Sequence, residues 1–244
     1  MNMFNEDDFV KRDLSKGDIF SLDDFNKSTF DVAKVILSWS TVNNEPDLDL
    51  AAILLGPNGK LTRREDLIYF NSTRRWKTSK PLEDEDFKPL EGRVSSYDED
   101  GKDFINYDDW KENTLPLSLD DSVIGSWDDR GDGDDDGPSE ERIHINFKST
   151  DTHNYRKIAI IAAIAMDQIE RFKFRDVFNP VVKVLDAQDD KVLAEYRLNN
   201  SYPDCDGLCV GFLQYNDETH SWEFLADEIS YNGGLLKIAN SFTR

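Results

Sequence analysis

Apolar residues are concentrated in short runs that have the length and composition of β-strands. Residues 141–147 (ERIHINF) alternate between apolar and polar side chains, which is typical of a strand with one buried face. The most apolar run, residues 158–166, is rich in isoleucine, and β-branched residues favour a buried strand over a short buried helix. Three further runs predict strands at residues 32–39, 48–55 and 66–71.

The C-terminal third has the pattern of two β-hairpins followed by a helix. Each hairpin has a short polar turn between its strands: residues 181–185 and 192–198 flank 188–190, and residues 208–215 and 221–225 flank 216–218. Two glycines, Gly233 and Gly234, precede a predicted helix at residues 235–242. Many short strands separated by turns predict a mostly all-β fold, an antiparallel β-sandwich with a short C-terminal helix.

Composition divides the chain into a short arm and one interrupted domain. Residues 1–13 are polar and acidic, and we expect them to form a flexible arm. Residues 14–244 contain the predicted strands and are expected to form a single β-sandwich domain. Apolar runs disappear between about residues 77 and 122, where acidic and turn residues dominate. This part is predicted to be a long acidic insertion that is ordered only where its aromatic residues dock.

The charge of the chain restricts its partners. The 244 residues include 50 Asp and Glu against 29 Lys and Arg, which gives a net charge of −21. Such a chain does not neutralise phosphates, so nucleic acid is excluded, and metal cations or basic proteins are the natural counter-ions. The chain has no apolar run of about 18 residues and no signal-peptide pattern. With two cysteines only, it is expected to be cytoplasmic.

The segment from Asp128 to Asp136 has the composition of a calcium loop. It holds six aspartates in nine residues, and interleaved glycines allow their oxygens to converge. Calcium takes six to eight oxygen ligands, whereas magnesium usually takes fewer protein carboxylates and keeps its waters. Counted from Asp132, the spacing of Asp132, Asp134 and Asp136 matches the first half of a helix-flanked calcium loop. The twelfth position of that loop is Ile143 here rather than glutamate. A solvated acidic linker is the alternative interpretation.

A second pair of carboxylates stands at the start of a predicted strand. Strand alternation places Asp47 and Asp49 on one face, opposite Leu48 and Leu50. Two carboxylates on one face of a strand edge are unfavourable unless a cation or water meets them. This pair therefore favours the calcium interpretation of the acidic loop.

Eight short motifs, taken in order, resemble the TerD family of tellurium-resistance and calcium-binding stress proteins. They are LSKG (14–17), VILSW (35–39), DLDLA (47–51), DLIYFN (66–71), the acidic loop (128–136), FRDVFN (174–179), LAEYRL (193–198) and SWEF with GGL (221–224 and 233–235). The resemblance implies a β-sandwich that binds one or two calcium ions. The ligands that it implies in this chain are Asp47, Asp49, Asn71, Asp128, Asp129, Asp132, Asp134 and Asp136.

The function that these observations favour is a calcium-binding, non-enzymatic binding or scaffold protein of a stress-response system. Its expected partners are calcium and other proteins of a stress-response complex. Two alternatives remain open. The first is a calcium-dependent module that contacts a membrane surface, at the inner face of the membrane. The second is a divalent-metal-dependent phosphoryl or nucleotide enzyme, for which the sequence offers no phosphate-binding loop or catalytic motif.

Overall fold

Two antiparallel β-sheets packed face to face make up most of the described chain. The computed structural model describes residues 17–21, 31–41, 46–72, 74–77, 114–126, 129, 138–188 and 190–243. The predicted arm at residues 1–13 lies outside this part of the chain, as do residues 78–113 of the predicted insertion and most of the acidic loop. Of the predicted metal ligands, Asp47, Asp49, Asn71 and Asp129 lie within it.

The strands are short, with lengths of two to ten residues. In chain order they are β1 (Ile19–Ser21), β2 (Val32–Ser40), β3 (Leu48–Leu55), β4 (Leu67–Ile68), β5 (Arg75–Lys77), β6 (Thr114–Pro116), β7 (Val123–Gly125), β8 (Ser139–Asn146), β9 (Lys157–Ile164), β10 (Phe178–Asp186), β11 (Val192–Arg197), β12 (Gly207–Asn216), β13 (Ser221–Leu225) and β14 (Ile229–Tyr231). One helical turn spans Leu198–Ser201, and the C-terminal helix spans Gly234–Ser241. Single 3₁₀ turns are formed by Arg64–Asp66 and Phe174–Asp176.

The two sheets have different sizes and meet through their apolar faces. The larger sheet has the order β1-β13-β12-β9-β3-β4, with β14 also paired to β12. The smaller sheet has the order β11-β10-β2-β8-β7, and β5 and β6 form a separate pair. The strand pairings in all three are antiparallel. These pairings confirm the predicted antiparallel β-sandwich.

Strand β3 is buried on both faces, which explains its nearly continuous apolar sequence. Leu48, Leu50 and Ala52 belong to the core between the two sheets. Ala51 and Ile53 belong to a second apolar cluster, which the C-terminal helix covers on the outer face of the larger sheet. The helix therefore protects the central strands β9 and β3 from water on that side.

Most predicted elements are present. The isoleucine-rich run is strand β9, both hairpins form as β10–β11 and β12–β13, and the predicted helix is the C-terminal helix. Residues 114–122 of the predicted insertion are among the described residues. Strand β6 pairs with β5, and Leu115 and Leu117 are buried apolar anchors.

The predicted strand at residues 66–71 is largely replaced by turns. Only Leu67 and Ile68 pair with β3, and Asp66 closes a 3₁₀ turn before them. The reason is the burial of Asp66. Its carboxylate accepts hydrogen bonds from the Tyr155 hydroxyl at 2.6 Å and the Thr62 hydroxyl at 3.2 Å. A buried carboxylate needs such donors, and a 3₁₀ turn places it where they are.

Stability is expected to depend on the ionisation of Asp66. Burial raises the pKa of its carboxyl above the ordinary value of 3.8, while hydrogen bonds from Tyr155 and Thr62 act in the opposite direction. The folded state therefore holds the proton more tightly than the unfolded state. Above pH 3.8 the unfolded chain loses this proton first, so the contribution of Asp66 to stability falls as pH rises through the raised pKa.

The comparison that checks this is between the intact chain and Asp66→Asn, which does not titrate. We expect the free energy of unfolding of the intact chain, relative to Asp66→Asn, to decrease as the pH is raised from ~3.5 to ~7. Urea unfolding at several pH values measures the difference. A difference that stays constant or increases over this range would contradict the assignment.

Candidate metal centre

Asp47 and Asp49 are buried at the start of β3. Their exposed fractions are 7% and 3%. Asp49 lies in strand β3 with the side-chain parity of Ala51 and Ile53, opposite Leu48 and Leu50, as alternation predicts. The backbone of Asp47 is fixed on both sides: its N–H donates to the Gln168 side chain at 2.8 Å, and its carbonyl accepts from Ala165 at 3.0 Å. The backbone at the start of β3 is therefore held by neighbouring segments, since Asp49 also pairs with Ala163 of β9.

Glu141 is a third buried carboxylate, and the sequence analysis did not select it. It is 2% exposed, and its Oε2 accepts a hydrogen bond from the Leu50 N–H at 2.6 Å. The pairing of β4 with β3 covers Ala52 and Ile53, so Glu141 reaches from the facing sheet to a part of β3 that β4 does not cover. This contact places the Glu141 carboxylate beside the backbone that joins Asp49 to Leu50.

A signal for Glu141 was present in the sequence. In the alternating strand β8, Glu141 has the same parity as Ile143 and Ile145, which are both buried in the core between the sheets. Alternation therefore places Glu141 on the inward face of the strand. An acidic residue at an inward position is uncommon without a partner or a cation, and this alone marks it for attention.

Asp129 is the member of the acidic loop that the structure describes. Its Oδ2 accepts a hydrogen bond from the Glu140 N–H at 2.8 Å, which places it one residue from Glu141. The contacts from Asp129 to Glu140, and from Glu141 to Leu50, bring Asp129 to the same end of the sandwich as Asp49 and Asp47. The predicted ligands Asp128, Asp132, Asp134 and Asp136 lie outside the described residues.

The remaining predicted ligand that the structure describes is Asn71. It is exposed in the turn after β4 and lines a groove beside the C-terminal helix. Within the described ranges, no hydrogen bond joins it to Asp47, Asp49 or Asp129. The same part of the chain contains no group of three or more His, Cys, Asp or Glu side chains that holds a metal ion by itself. The described side chains at the end of β3 therefore do not form a metal site by themselves.

The chemistry of this end of the sandwich suits a hard cation. The acidic side chains that the structure describes there offer carboxylate oxygens as metal ligands. Burial of a carboxylate is unfavourable unless hydrogen-bond donors or a cation compensate its charge. Cys209, the buried cysteine, has a different character, because burial raises the pKa of its thiol to about 12. It is a protonated, apolar part of the outer cluster rather than a thiolate ligand or nucleophile.

Comparison with known proteins agrees with the fold. A family model described as the TerD domain matches residues 11–88 and 95–242. No curated protein sequence matches the chain. The structure is similar to the crystal structure of a homologue of the telluride resistance protein (TerD) from Streptomyces coelicolor A3(2). The TM-score is 0.55, the identity is 15%, and the similarity covers 86% of this chain and 95% of that one.

The two comparisons carry different weight. At 15% identity the structural similarity shows the fold alone. The family model spans most of the sequence, and the chain therefore belongs to the TerD domain family, a family of the tellurium-resistance type. Among the residues that the structure describes, no helix is long and apolar enough to cross a bilayer.

Proposed function

We propose that this chain is a calcium-binding protein that serves as a non-enzymatic binding or scaffold module in tellurium-type stress resistance. Membership of the TerD domain family supports the stress-resistance role. The net charge of −21 supports association with cations and with basic surfaces of partner proteins rather than with nucleic acid.

The observation that carries the calcium proposal is the burial of carboxylates at one end of the sandwich. Asp47, Asp49 and Glu141 are each less than 9% exposed, on two sheets that face each other. Asp129 joins this end through the Glu140 N–H, and the glycine-rich aspartate run follows it in sequence. In the proposed site, strand carboxylates supply a fixed side and the loop aspartates Asp132, Asp134 and Asp136 supply the remaining oxygens.

Calcium fits this donor set better than magnesium does. Calcium accepts an irregular shell of six to eight oxygens, as a flexible loop opposite a rigid strand provides. Magnesium requires near-octahedral geometry and loses its waters reluctantly. Once bound, a calcium ion neutralises the mutual repulsion of the carboxylates and so fixes the loop against the end of the sheets.

Calorimetric titration of the chelator-treated chain tests the proposal. We expect saturable calcium binding and at least about tenfold weaker magnesium binding. Asp132→Asn/Asp134→Asn is expected to remove calcium binding, because the described carboxylates do not form a site without the loop. The control is Asp217→Asn/Glu218→Gln, which removes two charges from the exposed turn between β12 and β13.

The outcomes separate a site from general charge attraction. Retained calcium binding in the control variant and its loss in the loop variant support the proposal. Equal loss in both variants would mean that calcium is held by overall charge alone. The same would follow from equal affinities for calcium and magnesium.

A further inference from the structure

A groove of about 350 Å³ runs between the C-terminal helix and the segment that leads into and out of β4. Its apolar lining comes from both walls: Leu61, Leu67 and Tyr69 on one side, and Leu236 and Ala239 on the other. The volume lies in the range typical of small-molecule sites. It is separate from the proposed calcium ligands, except that Asn71 lines it as well.

Both walls of the groove are held in place by main-chain contacts. The Leu61 N–H donates to the Phe242 carbonyl at 2.9 Å, which ties the first wall to the end of the C-terminal helix. Leu67 pairs with Ile53 of β3, so the same wall is also part of the larger sheet. Asp206 fixes the start of the helix by accepting from the N–H groups of Gly233 and Gly234 at 2.8 and 2.9 Å. The groove is therefore preformed.

Two adjacent arginines give the groove a positively charged rim, and none of the residues that line it is acidic. Arg63 and Arg64 line it and are exposed. Within the described part of the chain, neither side chain makes a hydrogen bond or an ion pair. The carboxylate of nearby Asp66 already accepts from Tyr155 and Thr62. The charge of Arg63 counteracts the rise that burial causes in the pKa of this carboxyl, and both arginine side chains remain exposed at the groove.

We infer that this groove binds a small organic anion with an apolar body. The negatively charged head, a carboxylate or a phosphate, lies against Arg63 and Arg64, whose guanidinium groups suit such planar or tetrahedral anions. The apolar body lies on Leu61, Leu67 and Leu236. Leu236 is 50% exposed, so an apolar ligand would remove its surface from water.

The charge on the rim and the apolar floor make separate contributions to selectivity. An inorganic anion binds the arginines but leaves the apolar lining of the groove exposed to water. A neutral amphiphile covers the apolar lining but leaves both guanidinium groups without an anion. An organic anion satisfies both parts of the groove, and the test therefore compares ligands that differ in one part only.

Titration with anilinonaphthalene sulfonate, an apolar anion that fluoresces when bound, tests this inference on the intact chain. We expect one saturable site from which octanoate displaces the dye, whereas octanol or inorganic phosphate at the same concentration does not. Arg63→Gln/Arg64→Gln is expected to weaken dye binding about tenfold or more, because charge-assisted hydrogen bonds are lost. Arg175→Gln/Arg197→Gln, at exposed arginines that pair with Asp204 and Glu195, is the matched control with unchanged affinity.

A second variant tests the apolar side of the groove without disturbing the core. Leu236→Glu places a negative charge on an exposed position of the rim and is expected to abolish dye binding. Ile19→Glu changes an equally exposed apolar residue, 57% exposed, away from the groove and is expected to have no effect. The inference fails if the intact chain shows no saturable binding, if variants and controls bind equally, or if octanol or phosphate competes as well as octanoate. Circular dichroism establishes that each variant is folded.

Discussion

Calcium is expected to raise the free energy of unfolding of the chelator-treated chain by about 4 kcal/mol when free calcium exceeds its dissociation constant about 1000-fold. The reason is linkage: the proposed site needs β3, β8 and the loop together, and an unfolded chain does not hold them together. Urea unfolding with and without calcium, followed by tryptophan fluorescence, measures the gain. An equal gain from sodium chloride at matched ionic strength would show screening of the net charge instead.

Glu141 provides a sharper form of this prediction. Glu141→Gln keeps an oxygen that accepts from the Leu50 N–H but removes a buried charge beside the backbone that joins Asp49 to Leu50. We expect the calcium-dependent gain to fall by about 1.4 kcal/mol, which corresponds to tenfold weaker binding. Glu140→Gln, at a half-buried neighbour that pairs with Arg142, is the control and should keep the full gain. Equal losses in the two variants would contradict a specific role for Glu141.

Removal of the Asp206 carboxylate is the other change with a large expected effect. The residue is 1% exposed and accepts from Gly233, Gly234 and the Lys173 ammonium, the last at 2.6 Å. Asp206→Ala leaves buried N–H groups and a cation without this acceptor, and is expected to cost about 3 kcal/mol in the free energy of unfolding. The loss is measured by urea unfolding at neutral pH.

Asp206→Asn separates the two contributions of this residue. Its side-chain oxygen still accepts from the glycine N–H groups, whereas the ion pair with Lys173 is lost. We expect a cost of about 1 kcal/mol for this variant, because the lysine is partly exposed. If Asp206→Ala were no more destabilising than Asp206→Asn, the anchoring of the C-terminal helix through Asp206 would be wrong.

The strands were predictable because their periodicity reflects burial directly. The alternation of residues 141–147 predicts a strand with one face in the core, and the isoleucine-rich run at 158–166 predicts a strand that is buried on both faces. The hairpins were equally clear, since polar turn residues stand between two apolar runs. In these segments local preference and tertiary packing agree.

The polar interior was harder to predict because it depends on contacts between distant residues. Asp66 is 89 residues from Tyr155, and the hydrogen bond between them turns a predicted strand into a 3₁₀ turn. Glu141 is 91 residues from Leu50, and its burial becomes evident only when the two sheets are brought together. The groove at Arg63 and Arg64 likewise exists only once the C-terminal helix lies over β3 and β4.

Asp47 and Asp49 show the intermediate case. Alternation predicted the face of β3 on which Asp49 lies, and the structure adds that both aspartates are buried and that Glu141 accepts from the Leu50 N–H of the same strand. The sequence motif also selected Asn71, whose position in the groove depends on the turn after β4. Motif spacing therefore selected the part of the chain that carries the proposed site, while the third strand carboxylate required the packing of the sheets.

Diffraction from crystals grown in millimolar CaCl₂ tests the calcium site most directly. We expect an ion about 2.3–2.6 Å from oxygens of Asp47 or Asp49 on β3 and of the loop aspartates, with calcium's anomalous signal at the same place. Ordered carboxylates at the end of β3 that point into water, with no ion between them and the loop, would contradict the proposed calcium site.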